Sequence, residues 1–149
     1  MRQTGATGTL AMTQSVCGRS GKPATTELFY RFPFTPQVLT ATNLWPTCSV
    51  AHKNLGVPIW DPDVPLLEDL DAYQRLHYKL GIKFVSVPAV TSDYYRSLDR
   101  ETMTGVDPDA FRNAYLQIWP RWRSYWENGP DAEIIQDLQT EAMAFQDRR

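Results

Sequence analysis

Between residues 27 and 65 six prolines (Pro33, Pro36, Pro46, Pro58, Pro62 and Pro65) punctuate a stretch that is otherwise strongly apolar. Proline lacks an N–H and fixes φ, so this stretch is expected to run as extended segments and turns. It nonetheless carries Phe29, Tyr30, Phe32, Phe34, Leu39, Leu44, Trp45, Ile59 and Trp60. An extended apolar segment cannot bury itself. It has to lie on a surface, either its own domain's or a partner's, which makes Phe29, Tyr30, Phe32, Phe34, Trp45 and Trp60 candidate partner contacts.

The residues before this stretch are of another kind. Residues 1–26 are rich in Gly, Thr and Ser, carry Arg2, Arg19 and Lys22, and contain no acid. A basic, hydroxyl-rich, acid-poor segment has the composition of a mitochondrial targeting sequence, or equally of an ordinary polar tail. Leu10, Met12 and Val16 give it only a weak amphipathic pattern. Residues 1–64 together are therefore expected to form an extended N-terminal arm. Cys17 and Cys48 could pair only with each other, and two cysteines make no secreted disulfide framework.

Helical signals begin beyond the arm, and residues 65–149 are expected to form a helical domain. Leu66, Leu70, Tyr73, His77 and Leu80 recur at helical spacing, with Asp61 or Asp63 as a cap. Acids lead this helix, Arg75 and Lys79 close it, and Gly81 supplies a stop. Ile82–Val87 reads as one short extended run, too little for a sheet. Ser92 is expected to cap a helix to about Met103. Asp107 and Pro108 open another to about Asn128, stopped by Gly129 and Pro130. The last starts near Asp131 and buries Ile134, Ile135, Leu138, Ala142 and Phe145. The expected fold is thus all-α, a small bundle of about four helices with a proline-rich arm.

The helix over 108–128 is the most informative. At 100° per residue Phe111, Ala114, Tyr115, Ile118, Trp119, Trp122, Tyr125 and Trp126 fall within about 140° of one another, wider than an ordinary apolar stripe. Either this face is the domain's own core, or part of it is covered by another protein. The second reading adds Tyr115, Trp119, Trp122 and Trp126 to the candidate interface. Pro120 lies opposite, where it is expected to bend the helix. Arg112, Arg121 and Arg123 flank the stripe, placed for ion pairs or for stacking on Trp rings.

Chemistry is harder to find. Gly18-Arg19-Ser20-Gly21-Lys22 lacks the first glycine and the preceding strand of a phosphate loop. Cys48 and His52 have a zinc-compatible spacing, but Cys17 and His77 do not make the close second pair that a structural site uses. His77 falls at the centre of an apolar helical face, as a packed histidine with one satisfied nitrogen would. No nucleophile, base and orienting group assemble, so neither a catalytic site nor a metal or cofactor is expected. The enzyme reading rests on His52 or His77 alone. Net charge is −2, which does not favour nucleic-acid binding, and no apolar run nears the roughly 18 residues of a membrane span.

One run carries a resemblance. Tyr78-Lys79-Leu80-Gly81-Ile82-Lys83-Phe84 is similar to a Lys-Leu-Gly-Leu-Lys-Tyr/Phe segment in the small matrix-side subunit of mitochondrial ubiquinol–cytochrome c reductase. That family is also called the ubiquinone-binding protein of respiratory complex III. Downstream, Tyr95-Arg96-Ser97-Leu98 falls where the family has an Arg-rich short helix. Ala110-Phe111-Arg112 matches an Ala-Tyr/Phe-Arg step. Trp119-Pro120-Arg121 resembles a Leu-Pro-Arg/Lys step, and Glu127-Asn128-Gly129-Pro130 an acidic turn ending in proline. The match spans roughly residues 73–149. It departs at Val85 and Ser86, where the family has acids, and has no counterpart for residues 27–65.

The resemblance implies a non-catalytic accessory subunit on the matrix side of the mitochondrial inner membrane. It would contact cytochrome b and the core proteins, with peripheral lipid contact at the membrane surface, and would carry no haem. A structural part of another assembly, such as a different respiratory complex, a mitochondrial ribosome or a virion, would share the aromatic docking faces and apolar arm.

Overall fold

The structure is a computed structural model that describes the backbone of residues 7–18, 25–29, 34–97 and 108–146. Its side chains are described for 7–11, 34–93 and 109–145. The chain divides into two compact units.

The first unit is built on Gly8–Gly18, strand β1, in the segment expected to be a polar arm. Leu10, Met12 and Val16 occupy alternate positions, the period of a strand, and the interleaved Thr9 and Thr13 are β-branched. Strand β2, Thr25–Phe29, runs antiparallel to β1 with Thr13 opposite Phe29 and Cys17 opposite Thr25. Strand β3, Val50–His52, lies antiparallel to the start of β1, with Leu10 opposite Val50. Strand β4, Phe84–Ser97, runs parallel to β1 from Gly8/Phe84 to Gly18/Ser97. Because β4 takes one edge of β1 over its whole length, β2 and β3 share the other edge in tandem. Thr7 fastens the entry: its N–H donates to the Lys83 carbonyl, its carbonyl accepts from Lys53 N–H, and its hydroxyl accepts from Lys83 N–H.

The register of β4 slips on either side of Met12, with Ala11, Met12 and Thr13 facing Val87, Val90 and Ser92. Pro88 sits in the first slip. Having no N–H, it cannot join the ladder, so the strand bulges there.

These strands make the fold α+β and correct the all-α expectation. The arm supplies three of the four strands, and Ile82–Val87 belongs to a long one. The helix expected from Ser92, and the short helix that the resemblance put at Tyr95–Ser97, is strand to Ser97; residues 98–103 lie outside the described residues.

The second unit is helical. Helix α1, Pro36–Ala41, opens with Thr35 Oγ1 accepting from Val38 N–H at 3.2 Å and Pro36 in its first turn. Its last carbonyls need partners. The Gln74 amide donates to those of Leu39 and Thr40, and Trp119 Nε1 to that of Ala41. Tyr78 Oη meets Thr40 Oγ1, and since that hydroxyl donates to Pro36 O, the phenol is the donor.

Helix α2, Glu68–Gln74, starts at Leu67, a buried residue with φ of 58° and no side-chain cap. The expected caps Asp61 and Asp63 lie six and four residues before this N-cap, because the helix begins only at Glu68. Asp69 Oδ1 accepts from Leu70 N–H and from the Asn43 amide, and burial raises its carboxyl above the ordinary range. The helix widens into a π-helical turn over Arg75–Lys79, closed by Leu80 N–H on Arg75 O. Gly81, at φ +66°, then lets Ile82 N–H reach Leu76 O at 2.8 Å. The space beside Gly81 is open, so Gly81→Ala meets only the backbone cost of a left-handed residue. It is expected to lower stability by about 1–2 kcal/mol, read from the urea midpoint.

Helix α3, Pro108–Trp122, and helix α4, Ala132–Gln146, complete the unit. The expected cap Asp107 lies outside the described residues. α3 ends two residues after Pro120 and tightens into a 3₁₀ turn, Arg123–Tyr125, rather than running to Asn128. A core of Val64, Leu67, Leu70, Ala114, Tyr115, Ile118 and Trp122 joins α2 to α3, with Phe111, Trp119 and Met143 packed against it.

Among the described residues no helix is long and apolar enough to cross a membrane. None of their His, Cys, Asp and Glu side chains group in threes to hold a metal ion.

Candidate functional site

The candidate interface residues from α3 and from the end of the 3₁₀ turn after it face inward. Tyr115, Trp122 and Trp126 are buried, Trp119 is half-buried with its indole N–H on Ala41 O, and only Tyr125 of the stripe is largely exposed. The wide aromatic face is mostly this unit's own core. Of the proline-rich candidates, Trp45 is buried and Phe34 is half-buried, edge-on to His77 at 5.9 Å. Phe29 is placed only as backbone in β2, and Tyr30 and Phe32 lie outside the described residues.

Trp60 differs. It is 44% exposed, and Val57, three residues earlier, is 50% exposed. Both stand on the segment 54–63, which the sequence makes stiff. Pro58 and Pro62 fix φ within it. Asn54 Oδ1 accepts from Gly56 N–H at 2.9 Å at its start, and Asp61 Oδ1 accepts from Asp63 N–H at 3.0 Å at its end.

The exit of this loop is tied down by charge. Asp61 Oδ2 accepts from Arg75 Nη2 at 3.3 Å and from Arg121 Nη2. The same two guanidiniums meet Asp71, Arg75 Nη2 on Oδ2 at 3.4 Å and Arg121 Nε on Oδ1 at 3.5 Å. Asp71 is 1% exposed, and its Oδ1 also accepts from Trp122 Nε1 at 2.9 Å. Arg75 lies over the Trp122 ring, 6.0 Å from its centroid. Two acids and two arginines thus close a ring linking the loop, α2 and α3. The hydrogen bond from Asp63 N–H, and then Arg121, hold the Asp61 carboxyl below its ordinary range. Asp61 therefore keeps its charge more readily than an ordinary carboxylate as pH falls.

Part of this was legible. Asp71 and Arg75 are four apart on a helix, a spacing that brings side chains together. Asp61 and Arg121 are sixty residues apart, and no local pattern announces them. Arg121 makes the ion pairs expected beside the stripe, whereas Arg123 pairs with Glu127. Cys48 is free and exposed.

Both histidines bond to backbone. His52 Nδ1–H donates to Lys53 O at 2.8 Å and His77 Nδ1–H to Ile82 O at 3.3 Å. His77 also packs edge-on to Tyr78, and burial lowers its pKa from the ordinary 6.5. A histidine kept neutral by the fold contributes stability above its unfolded value, and that contribution is lost as pH falls. Stability should therefore decline below about pH 6.5 and level off once the folded value is passed. His77→Gln, which keeps a donor for Ile82 O, is expected to flatten that decline in urea midpoints taken between pH 7.5 and 5.5.

The motif run of the resemblance is divided between the two units. Lys79, Leu80 and Gly81 end the π-helical turn of the second unit, while Phe84 opens β4 of the first. Phe111 is half-buried in α3, and Arg112, Pro120 and Pro130 are exposed.

Comparison with protein-family models, curated proteins and solved structures finds no match.

Proposed function

We propose that this chain is a non-catalytic component of a larger assembly, held there through the loop that displays Val57 and Trp60. The observation that carries the reading is a large aromatic exposed on a segment stiffened by two prolines and pinned by two arginines. A single exposed apolar residue needs no explanation. An exposed tryptophan on a rigid loop is another matter, because little conformational freedom is lost when a partner covers it. Tryptophan is also among the residues that most often dominate binding energy.

Within that role, the motif order across residues 73–149 favours the matrix side of respiratory complex III as host, with cytochrome b and the core proteins as neighbours. The sheet departs from the helical bundle expected from the periodicity, so the assembly role stands apart from the identity of the host.

Substituting Val57→Ser and Trp60→Ala together tests the loop. Neither side chain is in the buried core, so the chain should stay folded, with a loss of about 1–2 kcal/mol from the covered part of the Trp60 ring. Native-size separation from source cells should show the parent chain co-migrating with defined larger species and the variant alone. Co-migration with cytochrome b identifies the host. An unaltered profile for the variant contradicts the loop reading, and a solitary parent chain contradicts the assembly reading.

A further inference from the structure

The ring around Asp61 has an asymmetry that salt bridging alone does not require. Arg75 and Arg121 both aim Nη2 at a single oxygen of Asp61, and Asp63 N–H binds the other oxygen of the same carboxylate. Asp71 is fixed in the core by Trp122 Nε1 and balances one of the two guanidinium charges. One positive charge remains, with its donors converging on the place where the Asp61 carboxylate sits. Asp61 itself comes from the loop, not from the helices that carry the arginines. Arg121 keeps 36% of its side chain exposed, so the place is open to water on one side.

We propose that Arg75 and Arg121 form an oxyanion site, for a carboxylate or a phosphate, which Asp61 occupies in cis. Arginine presents planar, fixed donors suited to either anion. The charge left by Asp71 fits one monoanion at a time. An incoming anion therefore has to displace Asp61, and in doing so frees the exit of the loop 54–63. The chain's own carboxylate keeps the site closed at high local concentration. The site is built from the helices' donors and does not depend on what covers Trp60.

The test uses the full-length chain and two variants, with inorganic phosphate and acetate as separate probes. The reporter is the NMR signal of the Trp122 indole N–H, which is bonded into the same cluster. Asp61→Ala opens the site, and its indole signal is expected to shift saturably, with affinity at least about tenfold tighter than the parent's. Asp61→Asn keeps an oxygen for Asp63 N–H and removes the charge, so it provides a folded second variant that should also bind. Adding Arg121→Gln to either should abolish the shift. Saturation by phosphate alone, acetate alone or both supports the site and tells which anion it prefers. The proposal is overturned if neither variant binds more tightly than the parent, or if the shift survives Arg121→Gln.

Discussion

Asp71→Ala is expected to destabilise the helical unit by about 3 kcal/mol, the lower end of what breaking a buried ion pair costs. The side chain it removes is almost wholly buried and takes a hydrogen bond from Trp122 Nε1. Alanine leaves that indole N–H facing the core without its acceptor. It also leaves Arg75 and Arg121 with Asp61 as their only shared carboxylate. The figure sits at the lower end because both guanidiniums keep some access to water. Asp71→Asn retains an acceptor for Trp122 and loses only the charge. It should cost less, about 1–2 kcal/mol. Urea denaturation of both variants measures the difference, and equal losses would mean that charge, not the indole bond, accounts for the effect.

Ile118→Ala should cost about 2–5 kcal/mol, the range for truncating a large aliphatic side chain in a packed core. Ile118 is 1% exposed and lies among Leu70, Ala114, Tyr115 and Trp122. Leu116, two residues away on the same helix, is 51% exposed. Leu116→Ala removes similar bulk from the same helix but should change stability by no more than about 0.5 kcal/mol. A matched pair of midpoints thus checks which face of α3 is core. Similar losses at the two positions would contradict the inward-facing stripe.

The helices were readable because their periodicity is local. The spacing Leu66, Leu70, Tyr73, His77 and the stop at Gly81 mark α2 and its π-helical end, and Pro108 marks the start of α3. The sheet was harder. More than half of its central strand is Gly, Thr, Ser and Gln, and its larger apolar residues are only Leu10, Met12 and Val16, so polarity suggested a tail. The alternation of Leu10, Met12 and Val16 was the available signal. Pairing partners in the sheet are far apart in sequence, as in Gly8 with Phe84, and a single strand's composition does not name them. Pro88 further disguised β4, since a proline argues against a regular strand while permitting a bulged one.

The candidate site divides in the same way. Proline spacing and an apolar composition marked 27–65 as a segment needing a surface, and Trp60 was among the residues named. Which of its aromatics would be buried was not legible. Trp45 and Trp60 stand in similar sequence, each beside Pro or Asp, and one is buried while the other is nearly half exposed. The anchor beneath Trp60 depends on Asp61 meeting Arg121 across sixty residues. Asp61 looked like a helix cap because acids before an apolar run usually are; the helix instead begins at Glu68, and Asp61 pairs with two arginines.

A photo-crosslinking amino acid placed at position 60 measures the central claim most directly, with the same group at position 118 as the buried control. In source cells, position 60 should give one dominant adduct with a protein that also co-migrates with the parent chain in native separation, and position 118 should give none. Adducts of equal yield at both positions, or none at position 60 in a folded chain, would contradict the account.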